Sequence, residues 1–158
     1  MFGLRKTSSV AGLLSSHLLD QDSFYSALEK DLARAKHEVI IESPFISPKR
    51  LNYLLPIFYK LIRRKVRVIV NTKSPEEQDP EYIWQTQECV VRLQKIGVEV
   101  LITGNHHRKL AIIDRQILYE GSLNILSQND SCEIMRRIYS ERLAVQMLNF
   151  TGISRFIR

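Results

Sequence analysis

The chain has 158 residues, 44% of them hydrophobic and 25% charged, with six glycines and five prolines; a chain of this size and composition buries a core as one domain, which excludes a disordered or fibrous protein. Its 23 Lys and Arg against 17 Asp and Glu leave a formal charge of +6, which favours a polyanionic partner such as nucleic acid or an anionic membrane surface. The two cysteines, Cys89 and Cys132, have no short spacing between them, so neither a zinc site nor a disulfide framework is expected, and no apolar run approaches the ~18 residues of a bilayer span, so the expectation is a cytoplasmic protein with no metal, no cofactor and no stable membrane insertion.

Residues 1–20 read as an N-terminal leader, with Arg5 and Lys6 ahead of a serine-interrupted apolar stretch that imitates a signal peptide poorly. Residues 21–158 read as a single domain. After Asp22 and Ser23, both suitable N-caps, Phe24, Leu28, Leu32 and Ala35 recur at helical spacing. "EVIIES" is a β-branched strand that ends at Pro44. Ser47 and Pro48 open a second helix, in which Pro56 predicts a kink. "VRVIVNT" is a second strand, "SPEEQDPEY" a proline-marked loop, "EYIWQTQECVVRLQKIG" a helix closed by Gly97, and "VEVLIT" a third strand. This alternation predicts an α/β fold, with a mixed, mostly parallel sheet flanked by helices on both faces. "KLAII" and "QILYEG" then suit a hairpin about Asp114-Arg115, and "CEIMRRIYS" a last strand leading into the helix "SERLAVQMLNF". No internal repeat, heptad run or low-complexity tract divides the chain.

The stretch "HRKLAIIDRQILYEGSLN" carries the chemistry. On a strand His107 and Lys109 share one face, while Leu110 and Ile112 face into packing. Ser122 and Asn124 share a face after the hairpin, and Gly121 permits a bend or close approach there. An ammonium, a hydroxyl and an amide suit the non-bridging oxygens of a phosphoryl group, and a neutral His107 could attack its phosphorus. Asp114 has the opposite parity and is a good turn residue, so it reads as support of the hairpin and not as a catalytic base. His106 reads as a neighbour on the opposite strand face.

These residues match the HKD pattern of the phospholipase D superfamily, H-x-K-x4-D-x6-G-[GS]-x-N, at His107, Lys109, Asp114, Gly121, Ser122 and Asn124. "IIESPFIS" also resembles the family's first strand, and the resemblance covers roughly residues 20–150. It implies a phospholipase D-like half-unit and metal-independent phosphodiester cleavage: His107 as the nucleophile that forms a phosphohistidine, Lys109, Ser122 and Asn124 as phosphate ligands, and Glu133 as the downstream acid that fixes the imidazole. The mechanism needs two histidines in opposite roles, and His17, His37 and His106 lack a lysine two residues on. A twofold homodimer supplies the second copy, as in the small single-motif bacterial endonucleases that this chain resembles.

Outside the motif, Lys49, Arg136 and Arg137 are candidate substrate contacts, whereas Arg63, Arg64 and Lys65 suit a helix C-terminus without any ligand. Trp84, Tyr53, Tyr59 and Tyr82 could stack bases, but their helical spacing favours the core. The leading expectation is a low-specificity nuclease acting on DNA or RNA. The alternatives are a lipid-directed phospholipase D or phosphatidyl transferase, which wants an acyl channel and an anchor, and a non-catalytic nucleic-acid-binding module, which has no physical need for intact His, Lys, Ser and Asn.

Overall fold

A computed structural model describes residues 15–157. In chain order the described residues form β1 (Ser16–Asp20), α1 (Phe24–Arg34), β2 (Glu38–Glu42), α2 (Pro48–Arg63), β3 (Arg67–Thr72), α3 (Ile83–Lys95), β4 (Glu99–Ile102), β5 (Leu110–Ile113), β6 (Ile117–Gly121), β7 (Ile134–Tyr139) and α4 (Glu141–Thr151). The seven strands make one sheet in the order β1-β7-β6-β5-β2-β3-β4.

Local signals explain the elements. β2 is buried at every position because both faces of the sheet are covered there. The Ser47 hydroxyl caps α2 by accepting the Arg50 N–H at 3.3 Å, and the helix runs on through Pro56. Ser140 caps α4 in the same way, and Gly152 ends it with φ +74°.

Two expectations change. The sheet is mixed, but only β2–β3 and β3–β4 pair in parallel; the other four pairings are antiparallel. A parallel neighbour needs a crossover, and only α2 and α3 supply crossovers between adjacent strands; β5, β6 and β7 are joined by a tight turn and a loop with no helix between them. The expected leader also ends inside the sheet: Ser16–Asp20 form β1, antiparallel to β7, while residues 1–14 lie outside the described residues.

Helices cover both faces, as the alternation implies. Phe24, Leu28 and Leu32 of α1, Leu51, Leu54 and Phe58 of α2 and Leu93 of α3 pack with Val39, Ile41, Val68, Val70 and Ala111. Ala144 and Leu148 of α4 pack on the other face with Ile40, Ile69, Ile112 and Leu118. No helix among the described residues is long and apolar enough to cross a membrane.

The β5–β6 turn is fastened from outside the hairpin. Asp114 and Arg115 both have positive φ, 51° and 54°, the backbone of a tight two-residue hairpin turn. The Asp114 carboxylate accepts the backbone N–H groups of Lys36 and His37 at 2.8 Å and of Glu38 at 3.0 Å, tying the start of β2 to the hairpin. Asp114 therefore sits at the end of the sheet away from His107.

Candidate functional site

Strand direction gathers the site. β5 runs antiparallel to both β2 and β6, and β6 antiparallel to β7, so β2 and β6 finish at the end of the sheet where β5 and β7 begin. This brings together Phe45 after β2, His107 and Lys109 before β5, Gly121, Ser122 and Asn124 at the end of β6, and Glu133 before β7.

The His107 side chain is exposed and meets the Phe45 ring edge-on, with centroids 6.2 Å apart at 62°. Lys109 is partly buried, and its ammonium donates to the His107 carbonyl. Burial lowers the Lys109 pKa from the usual lysine value, against a smaller opposing pull from Glu133. The Ser122 hydroxyl accepts the Ile134 N–H at 3.1 Å and donates to the Ile134 carbonyl at 3.4 Å. Hydrogen bonds from Ser122 and Ser131, with Lys109 adding less, hold the Glu133 carboxyl below the usual carboxylate range. Glu133 accepts the Ser131 hydroxyl at 2.8 Å and makes no hydrogen bond to the imidazole of His107. The Asn124 carbonyl turns the chain by accepting the N–H groups of Ser127 and Gln128, while its side-chain Oδ1 is buried with no partner among the described residues. An unpaired buried amide oxygen costs about 1–3 kcal/mol.

Gly121 is required by close approach. A Cβ there would lie 2.1 Å from the Ile134 carbonyl oxygen and 2.9 Å from the Met135 Cα. Both are backbone, so β6 and β7 would have to separate where Ser122 and Asn124 are positioned. Gly121→Ala should therefore lower stability by about 1–3 kcal/mol and reduce activity beyond the folded fraction lost. Wild-type melting in the variant would refute the close-packing account.

Sequence parity placed His106 opposite His107 but did not say what lies there. The structure puts both neighbours of His107 on Glu42, a fully buried residue at the end of β2. Arg108 donates to Glu42 Oε1 from Nε at 2.9 Å and Nη2 at 2.7 Å. His106 Nδ1 lies 3.2 Å from the same oxygen without the alignment of a hydrogen bond, and Oε2 has no partner among the described residues. One buried carboxylate thus takes the Arg108 fork on one side of the exposed imidazole and lies against the His106 ring on the other. The signal in the sequence was a glutamate closing the otherwise apolar run "VII".

Burial lowers the His106 pKa, and Glu42 opposes this only in part, with Arg108 and Glu77 also facing the ring. A histidine held neutral when folded takes up protons more readily when unfolded. Its contribution to stability is present above the unfolded value of about 6.5 and is lost as pH falls from there toward the lowered folded value. The melting temperature should thus fall between pH 7 and 5 more steeply in the wild type than in His106→Gln; equal slopes would contradict the burial account.

The basic candidates separate. Lys49 is exposed on the first turn of α2. Arg136 is exposed on the α4 side of β7 and donates to Ser16 Oγ at 3.2 Å. Arg137 is not a free substrate contact. It points to the other face and forks onto Asp31 through Nε at 2.6 Å and Nη2 at 2.9 Å, and Tyr119 donates to the same carboxylate. A cavity of about 380 Å³ beside it, lined also by His37 and Asp114, lies at the opposite end of the sheet from His107. The aromatic expectation also changes: Tyr53, Tyr59, Tyr82 and Trp84 are exposed, Trp84 at 73%, because the buried stripes of α2 and α3 are made by Leu51, Leu54, Phe58, Leu61, Val90 and Leu93.

An exposed imidazole beside a partly buried ammonium, a hydroxyl and an amide is an arrangement suited to attack on an anionic phosphoryl centre. The family model described as "Cardiolipin synthase, PLD-like domain" matches residues 28–151. Among solved structures, the phospholipase D family member Nuc from Salmonella typhimurium superposes with a TM-score of 0.69 at 15% identity, covering 86% of this chain and 90% of Nuc. NucT from Helicobacter pylori gives 0.68 at 16% identity, covering 85% of this chain and 91% of NucT. Phosphatidylserine synthase from Haemophilus influenzae Rd KW20 gives 0.69 at 13% identity, covering 87% of this chain and 38% of the synthase. At these identities the likeness is one of fold. Comparison with curated proteins gives no match.

Proposed function

The chain belongs to the phospholipase D-like domain family, and from that premise we propose that it is a metal-independent phosphodiesterase that cleaves nucleic acid with little sequence specificity, as a homodimer. The observation that carries this reading is the convergence of Lys109, Ser122 and Asn124 with an exposed His107 at one end of the sheet.

In the first step a nitrogen of neutral His107 attacks phosphorus, and the bond to the leaving oxygen breaks as the His107 of the second subunit protonates that oxygen. In the second step this now neutral histidine takes a proton from water, the hydroxide attacks phosphorus, and the N–P bond breaks. The sum is one diester and one water converted to a monoester and an alcohol. Lys109 neutralises the phosphoryl oxygens, and Ser122 and Asn124 donate to them as charge builds up. Glu133 acts through its surroundings, accepting hydrogen bonds from Ser131 and Ser122 and attracting the Lys109 ammonium by charge. Lys49 and the exposed Arg136 extend the basic surface along the polyanion.

Dimerisation follows from stoichiometry, because each chain holds one motif and the reaction uses two histidines. Leu18, Ile134 and Phe150 support it: they are exposed apolar side chains, two on β1 and β7 and one on α4. Leu18 and Ile134 share the α4 side of the sheet with Arg136, and Ile134 is bonded to Ser122. A second copy covering this band would bring the two motifs close together.

The test is a panel of labelled single- and double-stranded DNA, RNA and phosphatidyl lipids incubated in EDTA, with sedimentation on the same sample. Nucleic-acid cleavage by a dimer is expected. Lipid turnover alone would replace the substrate class, binding without cleavage would favour a non-catalytic module, and full activity in a strict monomer would break the two-histidine scheme.

A further inference from the structure

A second cavity, of about 480 Å³, adjoins the site and has no part in the chemistry above. Phe45 links the two. Its ring meets the His107 imidazole edge-on and also lines the cavity. Lys73, buried at the end of β3, places its ammonium 5.4 Å from the Phe45 centroid and 4.0 Å from Glu77. Tyr82, 46% exposed, forms part of the wall, and the side chains of Gln85 and Asn129, which make no hydrogen bond among the described residues, line it too.

We propose that this cavity is a subsite for one unpaired nucleobase of the substrate strand, next to the phosphate that His107 attacks. The inference rests on the phosphodiesterase reading and names what the site takes beside its phosphate. Three occupants can be weighed on chemistry. A phosphate is disfavoured, because Glu77 and Asp79 line the cavity against the single ammonium of Lys73, which Glu77 already faces. An acyl chain is disfavoured, because it would cover the polar groups of Ser47, Gln85, Ser127 and Asn129 without bonding them. A base answers both objections: it is neutral and planar, it stacks on an aromatic ring, and its edge offers donors and acceptors to side-chain amides that carry both. A base paired within a duplex has its edge occupied and its faces covered, so the subsite takes a single-stranded or unstacked nucleotide.

The experiment has a binding arm and a turnover arm. For binding, a tetranucleotide carrying 2-aminopurine is added to His107→Ala protein and to the same protein with Tyr82→Ala. Stacking changes the probe's fluorescence in the first and weakens its affinity roughly tenfold in the second, the effect of losing about one base–aromatic stack. For turnover, kcat/KM on the oligonucleotide is divided by kcat/KM on bis(p-nitrophenyl) phosphate, which carries no nucleobase. That ratio falls roughly tenfold in Tyr82→Ala and also falls in Gln85→Ala. Equal affinity with and without Tyr82, an unchanged ratio, or a selective loss of dihexanoyl phosphatidylglycerol turnover in Tyr82→Ala overturns the subsite. Wild-type protein inert toward both diesters overturns the phosphodiesterase reading instead, and the binding arm then still decides the subsite by itself.

Discussion

Replacing His107 with alanine should lower phosphodiester cleavage in EDTA by at least about a thousandfold, because the step that makes the covalent intermediate loses its nucleophile. The same change should leave the melting temperature near that of the wild type. His107 is exposed, its imidazole makes no hydrogen bond among the described residues, and its contact with Phe45 is a single edge-on meeting of rings; truncating a surface side chain of this kind usually costs under about 0.5 kcal/mol. The two readouts together carry the argument. Activity lost along with the fold would make His107 structural, and activity retained would remove it from the reaction. Mixing His107→Ala with wild-type subunits adds a further comparison: a heterodimer has one motif without its nucleophile and should fall well below half of the wild-type rate.

Replacing Asp31 with alanine should destabilise the protein by about 3–5 kcal/mol, the cost of leaving one half of a buried ion pair uncompensated. Asp31 is buried and takes both the Arg137 fork and the Tyr119 hydroxyl. Burial is the largest cause that raises the Tyr119 pKa from its ordinary value, with the Asp31 carboxylate adding to it, so the phenol remains a donor. Without Asp31 a guanidinium whose side chain is only 22% exposed and a fully buried hydroxyl both lose their acceptor. A loss of this size is a large part of the roughly 5–15 kcal/mol by which a domain is stable, so urea unfolding should show an obvious fall in midpoint. The triple variant Asp31→Leu, Arg137→Met, Tyr119→Phe removes the whole network and should recover much of that loss, since apolar replacement of a buried pair is often neutral or better. It also separates two roles for Arg137. A stable triple variant that still cleaves its substrate confirms Arg137 as a core residue, whereas a stable but inactive one returns it to the substrate.

Much of the site was legible because its spacing is short. His107 to Asn124 is one contiguous stretch, and strand alternation sorts its side chains: His106 and Arg108 to one face, His107 and Lys109 to the other. The same parity excluded Asp114 from the site and suggested its place in the turn. Arg136 and Arg137 mark the limit of the method. Adjacent residues on a strand must point to opposite faces, so they could not serve one substrate equally, but alternation does not say which face meets solvent and which meets Asp31, 106 residues away. Glu42 is the same case: its partner Arg108 lies 66 residues on. The exposed aromatics of α2 and α3 eluded periodicity for a related reason. More large apolar residues occur on these helices than one buried stripe can hold, and only packing shows which of them form it.

The sequence by itself determined most of the elements and turns, the caps of α2 and α4, and the candidate residues of the site, because each of these depends on residues a few positions apart. Tertiary structure alone decided that only two strand pairings are parallel, that Ser16–Asp20 close the sheet as β1, and that Glu42 takes the Arg108 fork and lies against the His106 ring. Strand order and the partner of a buried charge arise from contacts between distant segments, and such contacts leave no periodic trace in the chain that makes them.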